Sequence, residues 1–152
     1  MVVSSHCLAR KAREAVRYMF DTNICIHLIQ RQPRALIQRC EALAYGDAVI
    51  SSIVLAELRH GVEREPALRG QALVALNALA GLLPVTPFDE AAAVSYGVVC
   101  AAVPSRKRDA LDRLIAAHAL ALNLVLVTNN EADFKIYPGL AVENWVKSPG
   151  VH

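Results

Sequence analysis

Aromatic residues are scarce in this 152-residue chain, at 5%, so aliphatic side chains and alanine have to fill its core. A surplus of one charge is missing too. Sixteen lysines and arginines stand against 14 aspartates and glutamates, which excludes a strongly basic nucleic-acid sleeve or an acidic tail but leaves room for a local patch. No uninterrupted apolar run reaches the length of a membrane-spanning helix; the most apolar stretch, 72–85, is broken by Asn77, Gly81 and Pro84. The four cysteines, Cys7, Cys25, Cys40 and Cys100, form no CxxC pair and lack zinc-finger spacing to histidine. Neither a disulfide framework nor a structural zinc site is expected from them. A secretory leader is not expected either: Arg10, Lys11, Arg13 and Arg17 follow a weak apolar start instead of preceding a long one. These absences predict a cytoplasmic protein with reduced thiols. What the chain has in quantity is apolar residues, 55% against 20% charged, enough for the packed core of one domain.

The order of patterns along the chain is that of alternating strands and helices. Tyr18-Met19-Phe20 reads as a strand that stops at Asp21-Thr22-Asn23, after which apolar residues resume at helical spacing through Ile29. A second helix is predicted over 34–45, between Pro33 and Gly46, and a second strand over 48–51. The pattern IVLAELRHGV is helical and carries Glu57, and Pro66 opens a further helix to about Leu82. A weak strand over 83–86 leads to an alanine-rich helix capped by Asp89 and running to about Val103. Arg106, Lys107 and Arg108 make the densest positive charge in the chain, in a loop before a helix over 110–123. Leu124 to Val127 is a continuous aliphatic strand, ending at Thr128-Asn129-Asn130, and a last short strand lies around Val142. Such alternation predicts an α/β fold on a mainly parallel central sheet. Residues 1–17 read as an N-terminal extension, 18–147 as the domain and 148–152 as a tail.

In an open parallel sheet, ligands bind beyond the carboxyl ends of the strands. Polar residues gather at those ends here: Asp21, Thr22 and Asn23 after the first strand, Ser52 and then Glu57 after the second, Thr128, Asn129 and Asn130 after the fourth. Asp112 stands in the first turn of the helix leading back to that fourth strand. Each acid also has a purely structural explanation. Asp21 suits an N-cap, Glu57 a solvated helix face, and Asp112 or Asp109 a helix start. Together they suggest a chemistry, because clustered carboxylates repel unless a cation neutralises them. An oxygen-rich site with little histidine suits magnesium or manganese, the metals that assist phosphodiester hydrolysis. Arg106, Lys107 and Arg108 could then contact a phosphate backbone, or equally form a solvated loop.

Four blocks, YMFDTNICIHLI, AVISSIVLAELRHGV, ALDRLIAAHALALNLVLVTNN and ADFKIYPGLAVENW, closely resemble the PIN-domain ribonuclease toxins of the VapC type, over about Tyr18 to Val146. The resemblance implies a three-layer PIN-like fold. It implies Asp21, Glu57 and Asp112 as catalytic acids, with Asp21 and Asp112 holding Mg²⁺ (or Mn²⁺). Thr22, Asn23, Ser52, Thr128, Asn129 and Asn130 become supporting polar residues. The family's fourth acidic position is occupied by Asn130, with Asp133 or Glu131 as substitutes nearby. The loop VPSRKRDAL is shorter and more basic than in many relatives and makes Asp109 a competitor of Asp112, although the register of LIAAHA favours Asp112. His118, on an apolar helix face, reads as a packing residue. The implied activity is Mg²⁺-dependent hydrolysis of structured RNA, tRNA or rRNA, by the toxin half of a type II toxin–antitoxin module. Its implied partners are the RNA, a cognate antitoxin and a second copy of the chain, with no membrane; the helices over 34–45 and 66–82 are the candidate protein-binding surfaces. The alternative is a non-catalytic PIN-like module that binds RNA or protein.

Overall fold

The structure, a computed structural model, describes residues 16–104 and 109–147. Cys7, nearly all of the expected N-terminal extension, the loop cations Arg106, Lys107 and Arg108, and the 148–152 tail lie outside the described residues.

Five short strands form one parallel sheet: β1 (Tyr18–Phe20), β2 (Ala48–Ser51), β3 (Val85–Thr86), β4 (Val125–Val127) and β5 (Val142–Glu143), in the order β3-β2-β1-β4-β5. Seven α-helices among the described residues flank it: α1 (Thr22–Ile29), α2 (Arg34–Glu41), α3 (Ser52–Glu63), α4 (Arg69–Ala80), α5 (Glu90–Ala102), α6 (Ala110–Ala121) and α7 (Glu131–Phe134). This is the α/β arrangement expected. The central strands are apolar on both faces, with Met19, Leu126 and Val127 at 0% exposure, because helices cover the sheet from both sides. The first three strands each lead to a polar residue that starts a helix. Asp21 caps α1 by accepting from Ile24 N, Ser51 caps α3 by accepting from Ile53 N, and Asp89 caps α5 by accepting from Ala92 N.

The topology matters for function. From β1 the chain builds outward through β2 to β3, then returns to β4 on the other side of β1 and continues to β5. The direction of winding therefore reverses between β1 and β4, and a crevice opens above their carboxyl ends. Tyr18, Met19 and Phe20 pair with Val125, Leu126 and Val127, so Asp21 and Thr128, the residues that follow, are neighbours. Past β5, Trp145 is buried at the sheet margin, edge-on to Tyr18 and Phe20 at centroid distances of 4.8 and 5.5 Å, with the Arg39 guanidinium 4.3 Å above it.

Several element boundaries differ from the sequence expectation, each for a local reason. The helix expected over 34–45 ends at Glu41, because the Asp47 carboxylate accepts from Ala44 N and the Asp47 amide donates to Ala44 O, closing a turn through Gly46 at φ +91°. The helix expected from Pro66 is divided into a 3₁₀ turn over Pro66–Leu68 and α4. The third strand shrinks to Val85–Thr86; Pro84 has no N–H to donate and contributes only its carbonyl, to Ile50 N. The short helix α7 was not expected at all. Cys25 is buried and Cys40 and Cys100 half-buried, all as free thiols, in keeping with the reading of the cysteines as small hydrophobes. Among the described residues no helix is long and apolar enough to cross a membrane.

Candidate active site

The sheet order brings the acids to the crevice from four directions. Asp21, 4% exposed, sits at the end of β1 with both carboxylate oxygens engaged: Oδ1 accepts from Ile24 N at 2.9 Å, and Oδ2 accepts from the Thr128 hydroxyl at 2.5 Å. Thr128, fully buried past β4, accepts in turn from Asn130 N at 2.9 Å. Glu57 comes from the second turn of α3 and is oriented from across the crevice, where the Thr22 hydroxyl donates to its Oε1 at 2.8 Å. Asp112 comes from the first turn of α6 and is half-buried. Asp133, on α7, is exposed at the mouth.

These carboxylates sense one another. Burial raises the Asp112 carboxyl to about 6, and Asp133, Asp21, Glu57 and Asp109 push it in the same direction, in falling order of effect. The Asp21 carboxyl is raised chiefly by its burial and further by Glu57, against the bonds from Thr128 and Ile24 that favour its charged form. An acidic crevice of this kind favours cations. Its donors are carboxylate, hydroxyl and amide oxygens, the chemistry of a hard divalent ion rather than of zinc. Among the described residues no three His, Cys, Asp or Glu side chains stand grouped as a ready metal cage; Asp112 is linked to Asp133, Asp21 and Glu57 by electrostatic influence. In donor type and in charge they fit Mg²⁺ or Mn²⁺.

The structure separates the residues that the sequence left as rivals. Asp109 is committed to an ion pair with Arg113, Oδ2 to Nε at 3.1 Å, whereas Asp112 lies under the influence of Asp133, Asp21 and Glu57, and least of Asp109. Glu131 pairs with Lys135 at 3.2 Å and Lys147 at 3.9 Å, and hydrogen bonding from Asn144 and Lys135 holds its carboxyl below the usual range. Of the two substitutes for the fourth acid, Asp133 is therefore the one coupled to Asp112. Asn130 is exposed and accepts from Asp133 N at 3.1 Å through its backbone carbonyl, which fixes the start of α7. Asn23 and Asn129 are exposed at the same end of the sheet. The Ser52 hydroxyl instead accepts from Phe88 N at 3.0 Å and ties α3 to the segment after β3. His118 is buried at 1% exposure; its Nδ1 shares a 2.8 Å hydrogen bond with Ser51 Oγ and its ring packs edge-on against Phe88. That is the packing role expected, and burial lowers its pKa. Sequence reasoning missed Arg113, which is 2% exposed beside Asp112. The available signal was its i,i+4 spacing from Asp109.

Away from the crevice, a groove of about 460 Å³ lies between α1, α2 and the 42–45 turn on one side and α4 on the other. Leu28, Ile37, Leu43, Leu79 and Leu82 are among its lining residues. It combines both helices that the sequence marked as candidate protein-binding surfaces.

The PIN domain family matches residues 18–140. Ribonuclease VapC2 of Rickettsia felis is 38% identical over 133 residues, covering 86% of this chain and 98% of that protein. The tRNA(fMet)-specific endonuclease VapC of Shigella flexneri is 33% identical over 132 residues, with the same coverage of each. Among solved structures, VapBC2 from Rickettsia felis bound to a DNA fragment from its promoter contains a chain that superposes with a TM-score of 0.75 at 33% identity, covering 86% of this chain and 99% of that one.

Proposed function

The chain belongs to the PIN-domain family, in the company of the VapC ribonucleases, and on that premise we propose that it is a Mg²⁺-dependent endoribonuclease, the toxin half of a toxin–antitoxin pair, acting on structured RNA such as tRNA or rRNA. The observation that carries this reading is the placement at one end of the sheet of Asp21, held by Thr128 and Ile24, and Glu57, held by Thr22, with Asp112 on the first turn of α6 near enough to feel both.

Each residue has a task in that reading. Asp21 and Asp112 hold the ion, Asp21 locked in place by Thr128 and Ile24 and Asp112 carried on α6. When bound, Mg²⁺ offers positive charge to the phosphate oxygens and offsets the repulsion among the acids. Glu57, aimed by the Thr22 hydroxyl, orients the attacking water and takes its proton. Asp133 completes the acidic rim. In-line attack on the phosphodiester then leaves a 5′-phosphate and a 3′-hydroxyl. Asn129 and Asn130, both exposed, line the approach, while the buried Thr128 holds Asp21 in place.

The antitoxin docks in the apolar groove between α2 and α4; supporting this are the pairing of VapC-like chains with VapB in the similar complex and the aliphatic lining of the groove. The enzyme acts in the cytoplasm as a homodimer, with residues 18–147 as its catalytic domain.

The test is RNA cleavage by the purified protein with and without Mg²⁺, with the ends of the products mapped. Asp21→Asn and Asp112→Asn are expected to abolish cleavage while leaving the fold intact. Cleavage by either variant at the wild-type rate would remove that residue from the machinery.

A further inference from the structure

We propose that Arg113 is a positioning residue for Asp112: it sets the first turn of α6, and with it the direction of the neighbouring carboxylate, by tying that turn to the end of α5. The inference rests on the reading of the crevice as a metal-dependent nuclease site and concerns a residue that touches neither ion nor RNA.

Arginine is seldom fully buried, and a buried guanidinium needs partners for all its N–H groups. Arg113, at 2% exposure, has a partner for each of its three nitrogens, on both sides of the α5–α6 connection. Its Nη1 donates to Val103 O at 2.8 Å, its Nη2 to Pro104 O, and its Nε to Asp109 Oδ2 at 3.1 Å. The Cys100 sulfur, on the last turns of α5, accepts from the same group. The start of helix α6 is held by a side chain from inside the helix. Asp109 occupies the N-cap position, yet its side chain makes no capping bond to the helix and faces the guanidinium instead. The tie that usually fixes the first turn of a helix has thus been replaced by one through Arg113.

Asp112 belongs to that turn. Its backbone lies between the Asp109 N-cap and Arg113, whose own amide donates to Asp109 O at 2.9 Å. A planar fork with donors in three directions holds two carbonyls and a carboxylate at once, whereas an ammonium is a point charge on a flexible stem. The tie therefore depends on guanidinium geometry and not on charge alone. Partners behind a metal ligand commonly affect metal affinity or activity by about 10–100-fold when lost, and small displacements of a catalytic group can lower a rate by about a hundredfold.

Arg113→Lys and Arg113→Met are the variants, each checked for folding by circular dichroism and thermal unfolding. Mn²⁺ binding is measured by titration calorimetry without RNA, and kcat and KM are measured on a fixed RNA substrate. We expect Mn²⁺ affinity to fall at least about tenfold in the folded variants and kcat to fall about a hundredfold, with KM for RNA within about threefold of wild type. Lysine should restore only a small part of the loss. A merely structural arginine would reduce the fraction folded and leave the Mn²⁺ affinity of the folded molecules unchanged. That result, wild-type kcat in Arg113→Lys, or failure of both variants to fold would overturn the proposal. If wild type binds Mn²⁺ but cleaves no RNA, the nuclease reading falls, and the Mn²⁺ affinities alone decide the role of Arg113. Absence of Mn²⁺ binding by wild type would sink both.

Discussion

Asp112→Asn should make the metal-free protein more stable while abolishing its activity. The Asp112 carboxyl titrates at about 6 in the folded chain against 3.8 in its absence, because of burial and four neighbouring acids. A raised carboxyl pKa means that the folded state holds its proton longer than the unfolded one does. Its contribution to stability is fully present below pH 3.8 and is lost as pH rises through about 6. The displacement corresponds to about 3 kcal/mol at 1.36 kcal/mol per pH unit, and since the side chain is half-exposed, solvent screening reduces this to roughly 1–2 kcal/mol. Asparagine carries no charge and escapes the penalty at every pH. In EDTA at pH 7.5 the variant should therefore melt about 2–8 °C above wild type, with the gap closing as the pH is lowered toward 4. Adding Mg²⁺ should raise the wild-type melting temperature and narrow the difference, since a ligand that binds only the folded state stabilises it. Differential scanning calorimetry across pH, with and without Mg²⁺, reads all three effects. An Asp112→Asn protein that melts below wild type at pH 7.5, or a gap independent of pH, would refute the electrostatic account of the crevice.

Other expectations follow from particular contacts. Asp133→Asn should lower the cleavage rate about tenfold or more, whereas Glu131→Gln, which alters a half-buried carboxylate paired with Lys135 and Lys147, should stay within about twofold; initial rates on one RNA separate them. Thr22→Val removes the bond that aims Glu57 and should lower kcat about tenfold or more with KM nearly unchanged. Thr128→Val leaves a buried Asp21 oxygen without its donor and should destabilise the fold by about 1–3 kcal/mol in urea unfolding. Leu82→Glu places a charge on the rim of the apolar groove at a side chain that is 70% exposed. It should weaken antitoxin binding by tenfold or more in a pull-down titration, at about wild-type RNA cleavage.

Much of this was legible along the chain, for physical reasons that differ by element. The β1 and β4 strands announced themselves because a parallel sheet buries both faces and so writes continuous runs such as Leu124 to Val127. The turn Asp21-Thr22-Asn23 was visible because a short polar side chain is what a helix start requires after a strand. The end of the second helix was lost where a side chain just past the segment intervened. Nothing local in 34–45 foretells that Asp47 will capture Ala44 N and stop the helix at Glu41. Asp109 competed with Asp112 as a helix-start acid and only the register of LIAAHA favoured Asp112, while Glu131 and Asp133 stood as substitutes for the fourth acid.

Residue chemistry and spacing by themselves determined that strands alternate with helices, that acids follow the strands, and that those acids call for a hard cation. All of these are local or periodic properties of a covalent chain. Which acids share the crevice was decided only in three dimensions. The sheet order reverses between β1 and β4, so Asp21 meets Thr128, 107 positions away; Arg113 claims Asp109, lysines claim Glu131, and Asp112 and Asp133 remain to face the buried pair. Coulomb energies depend on distance through space, and that distance exists only once the sheet has formed.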